Sequence, residues 1–69
     1  MFDKRKLQAQ MVLKGKNAEC LAKILGMNTA TFYRKMNNNG DFSREEIQKI
    51  IIVLDISDPM DIFFADEFA

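Results

Sequence analysis

The chain has no histidine and no tryptophan, one cysteine, one proline and three glycines among 69 residues. Without histidine, no serine or cysteine nucleophile can be given an imidazole base. A lone Cys20 makes neither an internal disulfide nor a cysteine-based zinc site, and it agrees with a reducing cytoplasm. With no adjacent partner in sequence, Cys20 reads as an inert small residue rather than a redox sensor. The longest aliphatic run, Ile50-Ile51-Ile52-Val53-Leu54, falls far short of the about 20 residues that cross a bilayer. The basic start, Met1-Phe2-Asp3-Lys4-Arg5-Lys6, is not followed by the apolar core of a signal peptide. The acidic residues Asp58, Asp61, Asp66 and Glu67 read as helix N-terminal charges and a solvated tail, not as an acid–base pair. The expectation is a soluble, cytoplasmic protein that is not an enzyme and needs no metal, cofactor or small-molecule substrate.

What remains is 48% hydrophobic and 29% charged, a globular balance, in a chain long enough for one domain, residues 1–69. The formal net charge of zero hides an asymmetry. Residues 1–40 carry eight basic side chains against Asp3 and Glu19, a net +6. Residues 41–69 carry Arg44 and Lys49 against eight acidic side chains, a net −6. The first half offers a phosphate-facing surface, and the second would face away from it.

Capping and spacing predict five helices and no strand. The first runs from about Asp3 to Lys14, with Asp3 as N-cap, Gly15 as stop, and Val12 and Leu13 widening the Leu7–Met11 stripe. Asn17 caps a second, whose apolar face is Leu21, Ala22, Ile24 and Leu25, and Gly26 ends it. Asn28 caps a third, in which Phe32 and Met36 are four apart. Asn37-Asn38-Asn39-Gly40 breaks the chain. Ser43-Arg44-Glu45-Glu46 is a capping box leading into Ile47, Ile50, Ile51 and Leu54. Asp58-Pro59 supplies a cap and a first-turn proline for a last short helix through Ile62, Phe63 and Phe64.

The spacing between Ala18 and Met36 is the most informative. Two helices joined through Gly26-Met27 cannot lie antiparallel; they cross at a wide angle, as in a helix-turn-helix. Ala22 is small where the helices approach, Gly26 accepts the left-handed conformation of the turn, and Met27 plugs it. Ala22-Lys23-Ile24-Leu25-Gly26-Met27-Asn28-Thr29-Ala30-Thr31-Phe32 carries the spacing of the DNA-binding form.

From about Lys4 to Phe64 the chain resembles the lambda-repressor-like, Cro-type helix-turn-helix domains of phage and mobile-element regulators. The resemblance includes Glu19 to Met27, Thr31 to Asn37, Phe42 to Ile47, Leu54 to Ser57, and Phe63-Phe64. It implies an all-α, compact five-helix bundle, double-stranded operator DNA as partner, and commonly a homodimer on a pseudo-palindrome in a bacterial cell or phage host. The family usually has an apolar residue where this chain has Lys35, whose stem would pack while its ammonium reaches solvent. Relatives often carry Gln or Ser where Ala18 stands, so a phosphate contact there would come from Asn17, Lys16 or a backbone N–H.

A recognition helix at about residues 28–37 would enter the major groove and read bases near its N-terminal end. The base-reading candidates are Asn28, Thr29, Ala30, Tyr33 and Arg34. The resemblance matches Thr29, Ala30 and Arg34 to base-reading positions. Arg34 suits guanine O6 and N7, Thr29 a hydrogen bond, Ala30 a thymine methyl, and Tyr33 a phosphate or a base. Lys16, Asn17, Asn38 and Asn39 are phosphate candidates. Lys4-Arg5-Lys6 reads first as a solubilising terminus and second as a contact to the DNA backbone; Phe32, Phe42, Phe63 and Phe64 read as core, and Phe68 as a dimer contact. Asn37, Asn39, Gly40 and Glu46 match places in a calcium loop, but Lys35 occupies the place that needs a carboxylate. A protein-interaction module on the same scaffold, an anti-repressor or adaptor using the acidic half, is the second reading.

Overall fold

Local capping chemistry sets the helix ends. The computed structural model describes residues 2–64, which form α1 (Lys4–Leu13), α2 (Ala18–Leu25), α3 (Thr29–Asn37), α4 (Arg44–Leu54) and α5 (Pro59–Phe63). Asp3, Asn17 and Asn28 each accept a first-turn N–H, from Lys6, Cys20 and Thr31 at 3.1, 2.8 and 2.7 Å. Ser43 and Glu46 form both halves of the capping box, at 2.8 and 3.1 Å. Asp58 differs from expectation: its side chain makes no cap bond, and Pro59 alone opens α5.

The turn after α2 closes on Gly26 at φ 75°, where the Met27 N–H donates to the Ala22 carbonyl at 2.9 Å. The Gly26 N–H donates to Lys23 at 3.2 Å, completing the paired bonds that stop a helix at a left-handed residue. Asn28 then starts α3 at once, so no linker intervenes. α4 ends in the same way on Asp55, which holds φ 49° without being glycine.

The five largest fully buried side chains are Phe32, Leu7, Leu21, Ile50 and Leu54, one or two from each of α1 to α4. Each contributes about 1.5–3 kcal/mol by leaving water. α2 packs on α3 and α4, and α1 packs on α5. Ala22 is buried at the α2–α3 approach, and Met27 packs half-buried on the core.

An aromatic row joins Phe2 and α5 to this core. Phe2 meets Phe63 at 5.7 Å and Phe42 at 6.2 Å between ring centroids, and Phe42 meets Phe32 at 5.6 Å. Phe2 is buried, and a Cβ on Gly40 would lie 2.3 Å from its ring. The Asp3 N–H donates to the Ile62 carbonyl at 2.6 Å, and Lys6 pairs with Asp61 at 2.7 Å, fastening α1 to α5.

Several side chains depart from expectation. Val12 and Leu13 are 83% and 72% exposed, because α1 buries only the single row Leu7–Met11. Ile24 is exposed, since α2 turns Ala18, Leu21, Ala22 and Leu25 inward. Phe64 is also exposed, lying just past the end of α5. Lys35 does not send its ammonium into solvent; it bonds Glu46 at 2.9 Å, with the two side chains 21% and 19% exposed. Phe68, Asp66 and Glu67 lie outside the described residues.

Candidate nucleic-acid interface

Burying Phe32 and Met36 dictates which side of α3 faces out. On a 3.6-residue period the opposite row is Ala30, Tyr33, Arg34 and Asn37, and all four are exposed. No acidic residue occurs in α3. Among the described residues, no ion pair within 4.0 Å engages Arg34. Tyr33 is 51% exposed, its ring edge-on to Phe32 at 6.3 Å, so the core braces a ring that remains open to a ligand.

Two candidates sit differently from the rest. Thr29 is half-buried and stands at the flank of the row. Asn28 is exposed, but its Oδ1 accepts the Thr31 N–H at 2.7 Å. Reading adenine bidentately needs an amide oxygen and an amide N–H together. Capping occupies one of the two acceptor sites of that oxygen and fixes its direction towards the helix, leaving the amide N–H groups free to face a ligand.

The phosphate candidates occupy two separate segments. Lys16 and Asn17 precede α2: Lys16 is half-buried, its N–H closing the end of α1 on Met11 at 2.9 Å, and Asn17 is exposed with its Oδ1 on the Cys20 N–H. Ala18 is buried, so its side chain offers nothing there. Asn38 and Asn39 follow α3 and are exposed. Asn39 holds φ 56° and accepts the Phe2 N–H at 3.4 Å. Cys20 is half-buried.

One residue of the basic start stands beside this surface. Lys4 Nζ donates to Asn37 Oδ1, so the start of α1 stands against the C-terminal end of the α3 row. The contact spans 33 positions, and no local pattern announces it. Lys6, by contrast, is turned to Asp61; that hydrogen bond holds its ammonium above the ordinary pKa.

The segment from Lys35 to Glu46, which partly matches a calcium loop, is closed by its own ends. Glu46 Oε1 accepts the Ser43 N–H at 2.8 Å and the Lys35 ammonium at 2.9 Å, and Oε2 lies 3.3 Å from the same ammonium. Burial pushes the Glu46 carboxyl up, but the Ser43 N–H and the Lys35 ammonium together bring it below its ordinary value. Among the described residues, no group of histidine, cysteine or carboxylate side chains is arranged to hold a metal, and no helix is long and apolar enough to cross a membrane.

Compared with known proteins, the chain matches no family model, no curated protein and no solved structure. What the surface can do therefore rests on its own chemistry. It presents a planar guanidinium, a phenol, a methyl group and an amide along one helix row, free of carboxylates.

Proposed function

We propose that the chain is a sequence-specific DNA-binding regulator that inserts α3 into the major groove. The observation that carries this reading is the exposed, acid-free row Ala30–Tyr33–Arg34–Asn37 on a helix joined to its neighbour by a three-residue turn. A helix about 10–12 Å across fits the major groove, and the groove's donor and acceptor pattern distinguishes all four base pairs. Arg34 is the principal reader, suited to guanine O6 and N7. Ala30 suits a thymine methyl, and Thr29 approaches from the flank. Tyr33 and Asn37 have hydroxyl and amide groups for phosphate or base.

Lys16, Asn17, Asn38 and Asn39 position the helix on the backbone without reading sequence. The exposed basic residues Lys4, Arg5, Lys14 and Lys23 supply the sequence-independent attraction, and the acidic residues of α4 and α5 keep the remaining surface off the duplex. The resemblance to Cro-type regulators, over about Lys4 to Phe64, agrees with this assignment. It adds a homodimer on two half-sites about 34–36 Å apart.

Selection of bound sites from random DNA tests the reading, because it returns the operator and, through half-site spacing, the oligomeric state. The logarithm of the affinity should fall steeply and linearly with the logarithm of the salt concentration. No enrichment, together with no gel shift at about 50 mM salt and high micromolar protein, would remove the DNA reading and leave the interaction module in its place.

A further inference from the structure

We propose that Lys35 and Glu46 are a positioning pair for the DNA-reading surface. They hold α3 and the Asn38–Asn39 loop in place and keep the Lys35 ammonium off the DNA backbone. The proposal rests on the DNA-binding reading above and concerns residues that this reading leaves unused.

Lys35 follows Arg34 directly and lies off the exposed row, on the flank that meets the start of α4. Its side chain and its backbone both act on the loop that follows. The ammonium bonds both oxygens of Glu46, at 2.9 and 3.3 Å, and the Lys35 carbonyl accepts the Asp41 N–H at 3.1 Å. Glu46 in turn accepts the Ser43 N–H at 2.8 Å and donates its own N–H to Ser43 Oγ at 3.1 Å. Together with the backbone from Asp41 to Ser43, these bonds close a circuit from α3 through the loop to α4. The loop inside that circuit carries Asn38 and Asn39.

Burial separates this pair from an incidental surface contact. Lys6 and Asp61 are similarly close, at 2.7 Å, but with side chains 47% and 50% exposed; exposed pairs are screened and hold little. The Lys35 and Glu46 side chains are only 21% and 19% exposed, so the attraction is less screened and the geometry is held. Among the described residues, it is the ion pair that anchors α3. An unpaired ammonium beside Arg34 would seek phosphate, and phosphate contacts add affinity to every sequence alike. Bonded to Glu46, Lys35 fixes the helix that reads without adding sequence-blind attraction. Losing the pair should therefore reduce discrimination more than total affinity.

The test titrates two labelled duplexes, one selected from random DNA and one scrambled, with wild type and four variants: Lys35→Met, Lys35→Arg, Glu46→Gln and the double Lys35→Met/Glu46→Gln. Thermal melts confirm that each is folded. Lys35→Met and Glu46→Gln should each lower the selected-to-scrambled affinity ratio about fivefold. The double variant should be no worse than either single one, because the pair acts as a unit. Lys35→Arg keeps the cation and should keep the ratio. Lys35→Met should leave the salt slope on the scrambled duplex unchanged. In the absence of DNA, the amide resonances of Thr29 to Arg34 should shift in both single variants.

An unchanged ratio in folded Lys35→Met overturns the positioning role. So does an equal loss on both duplexes with a salt slope smaller by about 1, the mark of a phosphate contact. If wild type itself binds neither duplex, the DNA reading falls and takes the proposal with it, a result distinguished from the others because no variant is needed to see it.

Discussion

Gly40→Ala should destabilise the protein by about 2–5 kcal/mol, and the structure divides that figure into two parts. Gly40 sits at φ 66°, where an L side chain adds about 1–2 kcal/mol of backbone strain. The new methyl would also stand 2.3 Å from Phe2 Cγ, 2.6 Å from Cδ1 and 2.8 Å from Cβ. Cβ and Cγ are the near end of the side chain, so a flick of the ring tip does not relieve the clash. Overpacking of this kind adds about 1–3 kcal/mol. The ceiling is set by expelling Phe2 altogether, which forfeits its burial at about 1.5–3 kcal/mol. A chain of this length has a total stability of only about 3–10 kcal/mol, so the loss is readily measured.

Gly26→Ala is the matched control. Gly26 has φ 75° and nothing within 4 Å of the added Cβ, so it carries the backbone strain without the clash. Urea melts followed by far-ultraviolet circular dichroism should place Gly40→Ala at least about 1 kcal/mol below Gly26→Ala. In a Phe2→Ala background the difference should close, because the ring is no longer there to strike. Equal losses at the two glycines in the wild-type background, within about 0.5 kcal/mol, would refute the seating of Phe2 on Gly40.

Three further outcomes follow from the geometry. Arg34→Ala should relax preference at one base position by about 1–3 kcal/mol, whereas Lys16→Ala should weaken all sequences alike and reduce the salt slope by about 1; competition binding with single-base variants of the selected site separates the two. Asp55→Gly should stabilise by about 0.5–1 kcal/mol, because it relieves a left-handed residue at the end of α4, where glycine is the usual choice; a lowered melting temperature would contradict it. The Glu46 carboxyl is held below its ordinary 4.5, so its contribution to stability is complete above that pH and is lost as pH falls through the folded value. The stability gap between wild type and Glu46→Gln should therefore be flat from neutral pH down to about 5 and narrow below 4.5; a gap that widens on acidification would contradict the assignment.

The elements were legible in the sequence where local chemistry decides them. Asn17, Asn28 and the Ser43–Glu46 box each act within three residues, and Gly15 and Gly26 stop helices through their own backbone. Phe32 and Met36 as core also point Ala30, Tyr33 and Arg34 outward, but Thr29, expected on that face, is half-buried, and Asn37, which reads as a turn former, completes the row. The departures arise where an interaction spans the chain or where one group has two uses. The seat of Phe2 on Gly40 and the bond from Lys4 to Asn37 join residues more than thirty positions apart, beyond any periodicity. Lys35 lies 11 residues from Glu46, and the capping box fully explained that glutamate without it. Val12 and Leu13 extended the stripe by composition, but a helix with neighbours on one side buries only the row that meets them. Asn28 is both a cap and an exposed amide, and sequence alone does not apportion its oxygen.

The amino end of the chain behaves as a clasp. Phe2 touches the segment after α3 and the end of α5, so its full seat exists only once both are in place, and a contact that closes so long a loop should form late in folding. Contacts absent from the folding transition state govern how fast a protein comes apart rather than how fast it assembles. Weakening the clasp should accelerate opening, and a tether pulling at that end would release it ahead of the remaining helices.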